Sequence, residues 1–221
     1  MLPNPFDPER SDEPLQAAGY EILLSTVPVG DVELPSGRLV AFDPLFAPET
    51  EPFERTVDPG NYPVELVFAE MRDEVRLAYA VIRFTDVVAF RWQVAWVDGE
   101  EEGGPDDEGP GGFHVESSVV CLADERAAGR IIDIENIDGE EEFERMMRHA
   151  LRRGARSGVP CGHAIVDLPV TDSGNLPTFE ADPGIYTSHW GFDSSGQLAM
   201  FVVDFGVLDF HFTPFGLRYP R

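Results

Sequence analysis

The sequence predicts an α+β fold that is mainly β, with about nine strands in an antiparallel meander or sandwich, or in a partly closed barrel. Three observations lead to this fold class. Short apolar runs are separated by turn residues along most of the chain, the middle runs show period-2 alternation, and one segment has helical periodicity. Strands and helices do not alternate as in βαβ units, so antiparallel pairing is expected.

The strongest strand evidence lies between residues 62 and 97. Strict alternation in the run 75–84 places Leu77 and Tyr79 on one face of a sheet. The short polar connection at residues 72–74 joins this run to the preceding one, as a hairpin requires. The predicted strands are 20–27, 37–42, 64–68, 75–84, 90–97, 113–122, 163–168, 186–192, 197–205 and 208–212.

One amphipathic helix is predicted over residues 139–153. Phe143 and Met147 belong to a single apolar stripe, and the segment begins with glutamates and ends with arginines, which complements the helix dipole. Gly154 or Gly158 is expected to end this helix. A shorter helical pattern covers residues 124–130.

The chain is expected to form a flexible arm, residues 1–18, followed by a single globular domain, residues 19–221. The arm is rich in proline and charge. Inside the domain, residues 99–112 contain only Gly, Glu, Asp and Pro, a composition that cannot bury apolar surface. An acidic loop is therefore expected there.

The charge balance restricts the classes of partner. The chain has 41 acidic residues against 16 basic ones, all of them arginine, and a net charge of −25. Such a surface repels phosphate backbones and anionic lipid headgroups, so nucleic acid and membrane are not expected as partners. Two interpretations of the acidity remain: solubility or adaptation to a salty cytoplasm, and electrostatic steering toward a basic partner protein.

The sequence predicts a cytoplasmic protein without a cofactor. The first ten residues show neither the basic start nor the apolar stretch of a secretory signal, and no apolar run is long enough to span a membrane. Cys121 and Cys161 both lie in apolar, strand-like sequence, where a reduced thiol is the usual state.

One pair of motifs suggests a metal. His114-Val115-Glu116 followed by Pro160-Cys161-Gly162-His163 is similar to the H-x-E and P-C-x-x-C signature of zinc nucleobase deaminases, with His114, Cys161 and His163 as ligands. In that class both motifs open helices, whereas here each continues into strand-like sequence. A metal role is therefore disfavoured for these residues.

The segment 182–193 concentrates candidate binding residues: Asp182, Tyr186, His189 and Trp190. Such a mixture of aromatic and polar groups is typical of binding clefts, but an aromatic core strand is the alternative. By alternation, Tyr186 and Trp190 are expected to face inward and His189 outward.

An Asp-Pro-Gly-x-Tyr sequence occurs twice, at residues 58–62 and 182–186. Pro and Gly at the two central positions predict the same type II turn at both sites. A repeated turn explains why the motif occurs twice, without an ancient duplication.

Several stretches in combination resemble a bacterial family called domain of unknown function 4241. They lie at residues 36–45, 59–66, 113–124 and 182–205. The resemblance implies a shared fold and a bacterial origin, and it brings no catalytic residues. Within these stretches Glu116 and Asp124 join the candidate binding residues. Ser118 stands where the family leads us to expect glycine, and Glu116 where we expect aspartate.

Three functional hypotheses follow. The first is a non-enzymatic, acidic protein-binding module of the immunity or toxin-neutralising kind, without catalytic residues, which captures a basic protein. The second is a small-molecule or zinc-dependent hydrolase-type enzyme, which would use His114, Glu116, Cys161 and His163 or the strand 186–190. The third is a structural or oligomerisation domain.

Overall fold

The computed structural model describes residues 15–17, 20–46, 50–71, 74–99, 112–155, 159–168 and 173–208. It confirms a mainly-β α+β fold, with twelve strands and two helices in the described part. The strands are β1 Leu15–Ala17, β2 Tyr20–Leu34, β3 Leu39–Phe42, β4 Gly60–Met71, β5 Glu74–Arg83, β6 Arg91–Val94, β7 Gly112–Val115, β8 Val119–Asp124, β9 His163–Asp167, β10 Asn175–Glu180, β11 Gly184–Phe192 and β12 Leu198–Asp204. The helices are α1 Glu125–Asp138 and α2 Glu140–Ala155.

The strands form two antiparallel sheets. The large sheet has the order β1-β2-β4-β5-β12-β11-β6, and β7 pairs with β11 beyond the end of β6. The small sheet has the order β3-β8-β10-β9. Leu15–Ala17, which the sequence assigned to the arm, pair with β2 as β1. Residues 100–111 of the expected acidic loop and 209–212 of the last expected strand lie outside the described residues.

The molecule is layered, and alternation along the small sheet explains the layers. On β8, Val120 and Leu122 face the large sheet, while Cys121 and Ala123 face the helices. The first pair belongs to the core between the two sheets, which also takes in Trp190. The second pair belongs to a core under α1 and α2. A third apolar cluster lies on the far face of the large sheet.

A β-bulge overturns the expected alternation in β5. Phe68 lies opposite Leu77 and Val67 opposite Tyr79, so Ala78 is an extra residue. Leu77 consequently packs against the core between the sheets, whereas Tyr79 lies on the far face. The prediction that these two side chains share a face was wrong.

The predicted strand 113–122 is in fact two strands. The turn 116–118 separates β7 from β8, and the strands belong to different sheets. Ser118 in this turn has a φ of 63°, the left-handed region that favours glycine. The glycine expected from the family resemblance at this position thus corresponds to a real backbone requirement.

The two helices meet at Gly139. Its N–H caps α1 through the carbonyl of Glu135, and its carbonyl accepts the first bonds of α2. The predicted helix is confirmed as α2, and the short pattern is the start of the longer α1. Gly154 lies within α2 rather than after it. Among the described helices, none is both long and apolar enough to cross a membrane.

The two Asp-Pro-Gly-x-Tyr motifs form the same local structure, but it is not a type II turn. Tyr62 and Tyr186 each donate a hydroxyl hydrogen bond to the backbone carbonyl of the Asp four residues earlier. Each ring folds back over the intervening glycine, so a Cβ on Gly60 or Gly184 would lie 3.2 or 3.1 Å from the hydroxyl. Neither glycine has the positive φ of a type II turn.

Candidate functional site

A cleft of about 490 Å³ opens where the two sheets and α2 diverge. Aromatic rings form its floor and charged side chains its rim. Its lining includes Phe68, Glu74, Arg76, Ser118, Arg148, Cys161, Glu180, Asp182, Tyr186 and Phe205. The cleft thus combines residues from β4, β5, α2, β11 and the connections around β8, β9 and β10, and only the tertiary fold brings them together.

The two arginines of the rim are engaged by carboxylates. Arg76 forms an ion pair with Asp182 at 3.1 Å, and Arg148 forms one with Glu144 at 2.6 Å. Glu180 accepts a hydrogen bond from the backbone N–H of Gly162 at 2.8 Å. No described cation pairs with Glu74 or Glu180, so carboxylates dominate the rim.

Cys161 lies in the wall of the cleft as a protonated thiol. Burial raises its pKa to about 12, and the charge of Glu180 contributes to the rise. A thiolate nucleophile or metal ligand needs the opposite environment, one that lowers the thiol pKa. The position of Cys161 therefore opposes its use in catalysis.

The candidate residues Asp182 and Tyr186 meet at one edge of this cleft. The tyrosine ring is buried against Phe205, with ring centroids 4.7 Å apart, and its hydroxyl bonds the backbone of Asp182. Burial raises the pKa of Tyr186, and the charge of Asp182 adds to this effect. Of the sequence candidates, only Asp182, Tyr186 and Cys161 line the cleft.

The candidate Asp124 does not line the cleft and has a structural role. It is fully buried, caps α1 through the N–H of Arg126, and accepts two bonds from Ser36, which precedes β3. Asp43, which follows β3, accepts bonds from the backbone of Glu116 and Ser117 before β8. Because β3 and β8 are antiparallel, each carboxylate thus fixes the entry to the other strand.

Glu116 and His114 lie together on the surface, away from the cleft lining. Their side chains approach to 3.8 Å, and the imidazole makes an edge contact with the ring of Phe46. Both side chains are nearly half exposed.

The remaining aromatic candidates lie on opposite faces of β11, as alternation predicts, but the expectation that His189 faces outward was wrong because its side chain is buried. Trp190 packs in the core between the sheets, with its ring centroid 4.9 Å from that of Phe201. His189 faces the far side and is buried, which lowers its pKa to about 4. On the same face, burial raises the pKa of Asp204 to about 6.

The predicted metal ligands are not assembled into a site. His114 is on β7 of the large sheet, while His163 begins β9 of the small sheet and Cys161 lies two residues before that strand. Within the described ranges, no group of three His, Cys, Asp or Glu side chains could hold a metal ion.

Sequence reasoning missed most of the cleft. Glu180 had a signal, since Phe179-Glu180-Ala181 stands just before Asp182, where the family resemblance leads us to expect Gly-Trp-Gly. Glu74, Arg76 and Arg148 had none, because nothing in the sequence indicates that the start of β5 lies near α2.

Comparison with family models confirms the family resemblance seen in the sequence. The model of the family described as "Protein of unknown function (DUF4241)" matches residues 32–203, more than half of the chain. The matched region runs from β2 to β12 and includes most of the cleft. No curated protein and no solved structure matches the chain.

Proposed function

We propose that this chain, which belongs to the family DUF4241, is an acidic protein-binding module that captures a basic partner protein. Neutralising a basic toxin is one role that such capture would serve. The hypothesis goes beyond the family assignment, which carries no activity.

The observation that supports it is the excess of exposed carboxylates over available arginines. Six described arginines are already engaged by carboxylates in ion pairs. In the same part of the chain, the following exposed carboxylates form no ion pair: Asp31, Glu33, Glu51, Glu54, Asp58, Glu70, Asp86, Glu140, Glu141 and Asp167. Such a field accelerates encounter with a positively charged protein and slows encounter with an acidic one.

The test begins with native mass spectrometry of the protein recovered from its own cells at low salt. We expect a co-purifying basic protein whose association rate constant falls steeply as salt rises, because long-range steering is screened. Glu51→Gln/Glu54→Gln should slow association and leave dissociation nearly unchanged, as expected for charges outside the contact. Association that is indifferent to salt, or a partner that is not basic, would contradict the proposal.

The enzyme hypothesis receives less support. Its metal ligands are dispersed, and the only cysteine in the cleft has a pKa of about 12. We therefore retain the binding module as the function that the site supports best.

A further inference from the structure

We propose that the cleft between the sheets and α2 holds an arginine or lysine side chain of the basic partner. This inference rests on the proposed function and adds the contact by which the partner would be anchored.

The charges of the cleft favour a cation. Arg76 and Arg148 are each paired with a carboxylate, at 3.1 and 2.6 Å, which offsets their positive charge. Glu74 and Glu180 have no described cationic partner, and the acceptor capacity of Glu180 is only partly used by the N–H of Gly162. An incoming ammonium or guanidinium would pair with these carboxylates, whereas a phosphate or carboxylate would be repelled by them.

Burial is the main cause of the raised pKa values of Cys161 and Tyr186, and the charges of Glu180 and Asp182 respectively add to it. Arg76 acts in the opposite direction on Tyr186, but more weakly than Asp182. At Tyr186 the carboxylate thus outweighs the arginine, in keeping with the excess of carboxylates at the rim.

The shape and floor of the cleft suit a long basic side chain. Tyr186 and Phe205 pack edge to face at the bottom, beside the buried Phe68. The small part of each ring that reaches the cleft can contact the methylene stem of arginine or lysine, while the carboxylates of the rim pair with the cationic head. A volume of about 490 Å³ is within the range of ordinary ligand pockets and accommodates one such side chain with space for water.

The experiment compares two double variants of the full chain that remove the same charge. Glu74→Gln/Glu180→Gln neutralises the cleft, and its amide oxygen at position 180 can still accept the Gly162 hydrogen bond. Glu51→Gln/Glu54→Gln neutralises two exposed carboxylates outside the cleft. The probes are a hexa-arginine peptide and a hexa-citrulline peptide of the same shape without charge, and binding is measured by calorimetry at low salt.

We expect the cleft variant to weaken hexa-arginine binding about tenfold, equivalent to about 1.4 kcal/mol, and the control variant to weaken it much less. Bound hexa-arginine should also slow alkylation of Cys161 in the unsubstituted protein, and hexa-citrulline should not. Equal losses in both variants would overturn the cleft assignment and leave the acidic binding module intact. Hexa-citrulline bound as tightly as hexa-arginine would also overturn it. Failure to recover any basic partner from cells would instead contradict the proposed function itself.

Discussion

Ser118 holds a backbone conformation that suits glycine better than serine. Its φ is 63°, and an L-residue in this region carries about 1–2 kcal/mol of strain. Ser118→Gly removes the strain. The greater freedom of glycine also stabilises the unfolded chain by about 0.4–1 kcal/mol, which offsets part of the gain. We expect a net gain of about 0.5–1 kcal/mol in the free energy of unfolding, measured with urea. Ser118→Ala retains the Cβ and should give no gain, so equal effects of the two substitutions would contradict this explanation.

Asp43 fixes the turn between β7 and β8 through both of its carboxylate oxygens. One accepts from the backbone of Glu116 and Ser117, and the other from Leu45 and the Ser117 hydroxyl. Asp43→Asn turns an amide donor toward these donors, so we expect a loss of about 2–4 kcal/mol in the free energy of unfolding.

Asp193 provides a matched control for this substitution. It accepts the bonds from Ser195 and Gln197 through one oxygen, Oδ1, in an exposed turn. Asp193→Asn can keep that acceptor and direct its amide to solvent, so its effect should be small. A comparable loss at both positions would show that the geometry at Asp43 is not what stabilises the turn.

Asp204 gives the stability a pH dependence of predictable sign. Burial raises its pKa from 3.8 to about 6, so the folded state binds the proton more tightly than the unfolded state. The charged carboxylate therefore costs stability above pH 6, and this cost disappears as the pH falls toward 4. Asp204→Asn should raise the free energy of unfolding by about 2 kcal/mol at pH 8 and by little at pH 4. Urea titrations at both values test this, and an equal effect at the two pH values would contradict it.

Helix α2 depends on a glycine because it crosses the small sheet at very short range. A Cβ on Gly154 would lie 1.7 Å from the backbone oxygen of His163, so Gly154→Ala must displace the helix from β9. We expect a loss of more than about 3 kcal/mol in the free energy of unfolding. Gly129→Ala in α1 is the control, since nothing lies within 4 Å of its Cβ position. Gly129→Ala should raise the free energy of unfolding by as much as about 1 kcal/mol, because alanine has the higher helix propensity. A gain in stability at both positions would refute the close approach.

Most strands and α2 could be predicted from periodicity, and the failures have local physical causes. Strand β10 contains Pro177, and proline argues against a central strand. The structure accommodates it because β8 pairs with β10 only from Thr178 onward, while Pro177 lies opposite Ile165 of β9. The start of α1 was visible, but the isoleucine-rich sequence of its second half resembles a strand as much as a helix.

The candidate site could be predicted only in part, because it is a product of topology. Asp182 and Tyr186 stood out as a polar and aromatic cluster, and both line the cleft. Asp124 also stood out, but its carboxylate stabilises the β3–β8 pair instead. Glu74 begins β5 and Arg148 lies in α2, far apart in the sequence, and no local pattern links them. Sequence reasoning finds residues with unusual chemistry more readily than it finds the surfaces that they share.

The net charge of −25 should make the folded state sensitive to ionic strength. Two effects oppose each other: salt screens repulsion among the carboxylates, and it also weakens surface ion pairs. Exposed pairs contribute only about 0–1 kcal/mol each, and the described part of the chain has seven pairs between arginine and carboxylate. Repulsion should therefore dominate. We therefore expect the free energy of unfolding to rise between about 0.01 and 0.5 M NaCl, where the screening length falls well below the size of the domain.

This measurement also separates the two interpretations of the acidity when it is combined with binding data. Stability that continues to rise in molar salt, together with association that does not depend on salt, would indicate adaptation to a salty host. Stability that levels off at moderate salt, together with association that is lost over the same range, would indicate steering toward a basic partner. Stability that falls as salt is added would contradict the dominance of repulsion, because it would mean that the arginine pairs outweigh the unpaired carboxylates.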